Sequence, residues 1–455
     1  MTKLDGSALE WLLSPLTVEE FLGDVWERKP YVVPRADREY FSGLFSLADL
    51  DAVLEFGRPR PPELRVLKSG ITVPSDEYLQ SDGRLDVNQL RRLYADGHTI
   101  VINGLDKLSA PVAELIQALQ RRLNFRVSPN AYLTPRGAQG FNPHYDTHDV
   151  FIAQVGGSKV WRIYRLADIC PPDGMFELDQ SISRENLPEP RMVELSAGQL
   201  MYIPRGWIHD AETANESSLH LTIGIHPSRW YDLASKALTA LALKHESLRR
   251  ALPVGYLDDA NAPATLADGL REIAKLLEGE ELAIDAYSML QDDFVRLSRP
   301  VPNGSFVAAL DQLPSIHLET RLARQRHLYC RVLPSADGVA IQFARSIVRG
   351  PLAYGAAMTF IAQSHASFAV RDLPLLDDEQ KISLTQRLLR DGLLGIVDAR
   401  NAGLFYADTH DRNQASQRRS GGPGVGTASV PPSRTPVSLS CETIGQDASR
   451  PHATR

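Results

Sequence analysis

The sequence predicts a β-sandwich or barrel flanked by helices, followed by a helical stretch and a small α+β unit. Three observations carry this expectation. Between Arg126 and Pro227, short apolar strands bounded by Gly, Pro and Asn follow one another closely. On either side, apolar residues recur at helical spacing instead. At 455 residues, 43% apolar and 23% charged, the chain is globular in composition and too long for one ordinary core.

The N-terminal segment mixes short helical and extended signals. Leu9, Leu12, Leu13 and Leu16, then Phe21, Leu22, Val25 and Trp26, predict two amphipathic turns, and Ser46 caps another short helix. Val87 to Tyr94 and Ala110 to Leu123 read as helices, with the strand-like run Thr99–Ile102 between them. The strands expected next are Val127–Leu133, Val150–Val155, Val160–Tyr164, Met192–Leu195, Leu200–Ile203 and Leu219–Ile225. Trp230 to Leu252 reads as one long helix, with further helical signals at Leu266–Leu277 and Ala283–Leu297. The cluster Pro300-Val301-Pro302-Asn303-Gly304 marks a boundary. Beyond it, strand-like His327–Leu333, Val339–Phe343 and Leu394–Val397 alternate with helical Ala356–Gln363 and Glu379–Asp391. After about Tyr406 the chain is Ser, Thr, Pro, Gly and Arg with hardly an aromatic, the composition of a disordered tail. The expected divisions are therefore 1–228, 229–299, 300–405 and 406–455.

Charge and composition exclude some classes of function. A net charge of −7 opposes coating of nucleic acid by bulk electrostatics. The basic run Arg321-Leu322-Ala323-Arg324-Gln325-Arg326 reads as a solvated helical face rather than a DNA-binding surface. No apolar run has the length of a membrane span, and the first twenty residues carry Asp5, Glu10, Glu19 and Glu20, unlike a secretory signal. Cys170, Cys330 and Cys441 are odd in number and far apart, which suits free thiols in a reducing cytoplasm.

The stretch that carries chemistry is Asn142-Pro143-His144-Tyr145-Asp146-Thr147-His148-Asp149-Val150-Phe151. A histidine and a carboxylate two apart on a strand project to one face, roughly 6–7 Å apart at the backbone, and can converge on one ion. Two histidines and a carboxylate on one face of an octahedron leave three positions open, as in non-haem Fe(II) oxygenases. For the third ligand, His148 shares the strand face, but three ligands over about 13 Å of strand would stand in a line. His209 is preferred because Gly198–Gly206 reads as a strand and tight turn that returns the chain beside the first pair. His220 is the reserve. An isolated His-x-Asp is a weak signal, so the surrounding string matters.

That string resembles a known family. Asn130-Ala131-Tyr132-Leu133-Thr134-Pro135, Gln139-Gly140-Phe141 and His144-Tyr145-Asp146 look like the JmjC-type ribosomal oxygenases of the cupin-like superfamily. So do Gly157-Ser158-Lys159-Val160-Trp161, Tyr202-Ile203-Pro204 and Ser218-Leu219-His220-Leu221-Thr222. The likeness covers residues 10 to 230 closely and the rest more loosely. It implies a mainly β, double-stranded β-helix (jelly-roll) catalytic domain, a helical dimerisation region making a homodimer, and a winged-helix-like domain. It also makes His144, Asp146 and His209 the Fe(II) ligands and places Lys159 against the distal carboxylate of 2-oxoglutarate. A dicarboxylate held at a metal by one end needs a cation at the other. Tyr132 would donate to the same carboxylate, and Asn130 and Thr134 share its strand face. Some members hold the co-substrate with a serine where this chain has Gly224, and Thr222 is the expected replacement.

The implied activity is hydroxylation of a protein or peptide by Fe(II), 2-oxoglutarate and O2, with a ribosomal-protein arginine or histidine as the foremost substrate. Two alternatives stand beside it: another peptide, such as a biosynthetic precursor, and a metal-binding cupin without oxygenase activity. Asn142 and Gln154 are candidates for orienting the metal ligands.

Overall fold

Side-chain alternation along one long strand organises the first half of the chain. A computed structural model describes residues 8–171, 182–299, 306–336 and 338–397. The expected breaker at 300–304 and the tail beyond 406, with Cys441, lie outside the described residues. The strands of the first half are β1 Tyr31–Val33, β2 Leu64–Lys68, β3 Ile71–Thr72, β4 Thr99–Asn103 and β5 Arg126–Thr134. They continue as β6 Asp149–Leu166, β7 Arg191–Ser196, β8 Leu200–Ile203, β9 Trp207–Glu212 and β10 Ser218–His226. They form an antiparallel sheet in the order β1-β8-β6-β10-β5-β4-β2-β3, with β7 and β9 also pairing with β6.

Strand β6 does double duty. Its first part pairs with β8 and β10, its last part with β7 and β9, so one strand joins both walls of the sheet. The expectation of two strands, Val150–Val155 and Val160–Tyr164, is corrected: the chain continues through Gly156-Gly157 as a single strand. A register shift opposite Leu219/His220 absorbs the bend there.

Both faces of this sheet are covered, which explains why its strands are apolar almost throughout. Phe151, Ala153, Leu200, Tyr202, Leu221 and Ile223 pack outward with the N-terminal helices. Val150, Ile152, Trp161, Ile163, Met201 and Ala211 pack inward, joining the two walls. The flanking helices begin as their sequences predict. The Ser46 side chain accepts from the Asp49 amide, and Asp86 caps the helix Val87–Ala95. The helix Ala110–Leu123 has Pro at its first turn and ends on left-handed Asn124.

The helical region differs from expectation at one end. The helix from Trp230 stops at Lys244, not Leu252, because His245 turns to an extended conformation and a 3-10 turn, Glu246–Arg249, follows. Helices Ala262–Leu276 and Glu280–Leu297 complete it.

The C-terminal part is α+β: β11 Arg321–Arg324, β12 Cys330–Ser335, β13 Gly338–Phe343, β14 Ser346–Gly350, β15 Phe368–Ala369 and β16 Leu394–Ile396. They make two three-stranded sheets, β15-β11-β16 and β12-β13-β14, over a core shared with helices Gly355–Gln363 and Asp378–Arg390. The basic run at 321–326 is a correction: Arg321–Arg324 form strand β11 rather than a solvated helix. Leu322 and Ala323 are buried, and the buried Arg324 guanidinium donates to the Ala362 carbonyl. Arg326 reaches back to Glu114 at 3.1 Å. These cations are committed to internal contacts.

Candidate active site

The site is built where the segment between β5 and β6 crosses β9. His144 and His209 are directly opposed, each amide donating to the other's carbonyl at 3.1 and 2.8 Å. This cross-strand bridge brings together residues 65 positions apart in sequence. The turn Pro204-Arg205-Gly206 sets the approach: the Gly206 amide donates to the Asp146 carbonyl at 2.9 Å. Gly206 has φ +86°, and a Cβ there would fall 2.0 Å from the Asp168 carbonyl oxygen. Arg205, buried in the same turn, pairs with Asp149 and Glu27, while the Tyr202 hydroxyl donates to Asp149. The start of β6 is thereby tied to the turn that precedes His209.

The ligand atoms of His144, Asp146 and His209 all lie within 4.8 Å of one another. His209 Nε2 is 3.7 Å from a carboxylate oxygen of Asp146. Each imidazole is oriented by a main-chain carbonyl: His144 Nδ1 faces Asn142 O at 2.8 Å, and His209 Nδ1 faces Trp207 O at 2.9 Å. A carbonyl only accepts, so Nδ1 donates in each ring and Nε2 is the nitrogen left to face an ion. Burial, with His144 adding to it, pushes His209 down to about 4, so its ring is neutral at ordinary pH. Burial acts to raise the Asp146 carboxyl, but the imidazoles of His148, His144, His209 and His226 outweigh it, and Asp146 lies below its usual range. The Asn142 main-chain carbonyl therefore orients the His144 ring. Gln154 does not: its amide is spent on Gly156 O and Ser218 Oγ, away from the three residues.

These residues open into a cavity of about 230 Å³ that also contains Asn130, Tyr132, Lys159, Thr222, His148 and His220. His148 and His220 line it without joining the converging group. At the closed end, Lys159 is 4% exposed and donates to Thr134 Oγ1 at 3.0 Å, which itself accepts from Thr99. Among the described residues no carboxylate pairs with Lys159. Burial lowers its ammonium to about 7. Tyr132 is stacked on His220, centroids 4.9 Å apart, and its phenol is raised to about 12 by burial, with Asp146 adding to the effect. Thr134 is placed as the partner of the lysine, and the Asn130 Oδ1 accepts from the Gly104 amide.

Sequence reasoning missed several wall residues. Trp161 faces inward two residues after Lys159, its buried indole N–H without a partner among the described residues. The i, i+2 relation to Lys159 was the available signal. Arg65 also lines the cavity, its guanidinium 5.9 Å from the Phe141 ring centre, but nothing in its own stretch of sequence marks it.

Residues 107–233 match the JmjC domain family. Mouse ribosomal oxygenase 2 is 31% identical over 350 residues, covering 73% of this chain and 74% of that protein. The Drosophila yakuba bifunctional lysine-specific demethylase and histidyl-hydroxylase NO66 is 34% identical over 260 residues, covering 54% of this chain and 37% of that one. The chain spans less than half the length of that protein and of chicken ribosomal oxygenase 1. Among solved structures, Escherichia coli YcfD, a ribosomal oxygenase in complex with cobalt and 2-oxoglutarate, covers 84% of this chain and 99% of its own at 17% identity, with a TM-score of 0.47. The chain belongs to the JmjC-domain ribosomal oxygenase family.

Proposed function

We propose that the protein is an Fe(II)- and 2-oxoglutarate-dependent oxygenase that hydroxylates a protein side chain, with a ribosomal-protein arginine or histidine as substrate. The observation that carries this reading is one cavity with two histidines and an aspartate converging in it and a buried lysine that, among the described residues, has no carboxylate beside it. The donor set suits a first-row divalent ion with open positions. The buried amine of Lys159, held by the Thr134 hydroxyl, suits the far carboxylate of a dicarboxylate. A metal-binding cupin without oxygenase chemistry has no use for that second feature.

With Fe(II), 2-oxoglutarate and O2 bound, the group supplies oxidation of a C–H bond to C–OH, coupled to conversion of 2-oxoglutarate into succinate and CO2. The chain's own residues do the rest. His144 and His209 present Nε2, fixed by their carbonyl partners, and Asp146 supplies the anionic ligand. Lys159 binds the distal carboxylate, with Thr134 holding the amine and the Tyr132 phenol in reach of the same pocket. Thr222 lines the wall beside them. Val150, Ile152 and Trp161 exclude water from the interior. The test is succinate release with Fe(II), ascorbate and 2-oxoglutarate, with mass spectrometry of ribosomal proteins for one added oxygen. Release that needs no protein substrate and leaves ribosomal proteins unchanged would remove the substrate assignment.

Lys159 makes binding pH-dependent, and the sign follows from its position near 7. Above that pH the empty pocket holds a neutral amine, while a bound carboxylate favours the ammonium. Binding of 2-oxoglutarate at pH 8 is expected to take up close to one proton, and affinity to fall by up to about tenfold per pH unit above 7. Calorimetry in buffers of different ionisation enthalpy measures the uptake; none at pH 8 would contradict the Lys159 role.

The segment 229–299 is proposed as a dimerisation region and 300–405 as a winged-helix-like domain. Helix Ala262–Leu276 buries only Ala262, and Trp230, Leu243, Leu270 and Ile284 are more than 60% exposed. So much apolar surface on these three helices favours a second copy of the chain over solvent. Light scattering is expected to give a dimer, and the pair Leu270→Asp with Ile284→Asp a folded monomer. A monomeric parent protein would overturn this.

A further inference from the structure

The cavity has a closed end and an open end, and strand register orders the residues between them. Along β10, His220, Thr222, Gly224 and His226 lie opposite Tyr132, Asn130, Ser128 and Arg126 of β5. Lys159, Thr134 and His220 are buried at one end, whereas Ser128, His148 and His226 are half-buried and Arg126 exposed at the other. Four residues of strand separate His220 from Gly224, about 13 Å. A co-substrate anchored on Lys159 therefore leaves the Gly224 end free, and anything larger enters there.

At that end stands an arrangement the proposed chemistry has not used. The His148 ring lies flat on His226, centroids 4.6 Å apart and 17° from parallel. His226 Nε2 is held by Ser128 Oγ at 3.0 Å. The far edge of the His148 ring occupies the place of a side chain on β10: a Cβ at Gly224 would lie 2.7 Å from its Cδ2 and 2.8 Å from its Nε2. Glycine is thus required at 224 by close approach, not by backbone conformation. His148 lines the cavity, stands beside Asp146, and makes no hydrogen bond to a described residue. A ring fixed on three sides and unspent in hydrogen bonding is preorganised for a ligand.

We infer that His148, backed by His226, Ser128 and Gly224, forms an entry subsite that positions the polar side chain of the protein substrate beside the metal group. It is a positioning residue of the reaction proposed above and rests on that reading.

The test uses the full chain, a ribosomal-protein fraction as substrate, and the Co(II)-loaded protein for binding. His148→Ala is expected to raise the half-saturating substrate concentration about tenfold, the equivalent of one lost hydrogen bond. Turnover at saturation should fall much less, 2-oxoglutarate affinity by calorimetry should hold, and His148→Gln should recover part of the loss. Gly224→Ser, which displaces the ring without deleting it, should give the same rise and lower Tm. In the His148→Ala background the same Gly224→Ser change should cost little Tm. An unchanged half-saturation, or a parallel loss of 2-oxoglutarate affinity, overturns the subsite. If the parent protein shows no substrate-dependent succinate release, the functional reading fails first and the subsite with it. If the parent is active and His148→Ala matches it, the subsite alone fails.

Discussion

Asp146→Ala is expected to lose metal-dependent turnover by on the order of 10³-fold or more, with little change in the folded state. Residues that merely orient metal ligands cost about 10–100-fold in affinity or activity when lost, and removing a ligand outright exceeds that. Asp146 is the one anionic member of the group, and its oxygen stands 3.7 Å from His209 Nε2. Without it, two neutral imidazoles face a divalent cation with no compensating charge. The His144–His209 backbone bridge does not depend on the carboxylate, so secondary structure should survive. The checks are succinate release and retention of metal after gel filtration, with circular dichroism as the folding control. Activity within tenfold of the parent would remove Asp146 from the ligand set.

Lys159→Met should separate binding from stability. Truncating one partner of a buried charge pair costs about 2–5 kcal/mol, so 2-oxoglutarate affinity should fall by roughly 30-fold to several thousand-fold. The ligand-free protein should not suffer. Among the described residues Lys159 has a hydroxyl but no carboxylate beside it, and the cost of charging it is full below about pH 7 and fades towards 10.5. A methionine of similar length has no charge to bury, so the variant should be at least as stable as the parent at pH 6, and relatively less so at pH 9. Calorimetry with 2-oxoglutarate and melting curves at the two pH values test both halves. Unchanged affinity would show that the pocket holds its ligand without this cation.

Local periodicity made His144 and Asp146 legible, whereas Tyr132 and Lys159 were marked by the resemblance to the ribosomal oxygenases, with Asn130 and Thr134 following from Tyr132 by strand alternation. His144 and Asp146, two apart, share a face, and Tyr132 falls between Asn130 and Thr134 on an alternating strand. All of them line or abut one cavity. His209 needed more, since its place depends on a bridge to His144 across 65 residues and on a turn whose glycine passes within contact of Asp168. The sequence offered a strand, a tight turn and a histidine there, but not the pairing.

What was missed depended on partners that sequence does not display. A Gly-Gly pair in β6 reads as a break, yet ladders on both sides keep the strand whole. The arginines at 321–326 look solvated until burial of Leu322 and Ala323 and the Arg324–Ala362 bond are seen. Gly224 looked like the loss of a co-substrate contact, whereas the His148 ring stands in that space. Each is a tertiary effect overriding a local pattern.

The most direct test of the central claim is an anaerobic titration of the metal-free protein with Fe(II) and then 2-oxoglutarate, followed by visible absorption. One equivalent of each should generate the charge-transfer band of a 2-oxoglutarate chelate, absent in Asp146→Ala and shifted to much higher 2-oxoglutarate in Lys159→Met. A parent protein that binds neither, or a band unaffected by both substitutions, would contradict the assignment of this cavity.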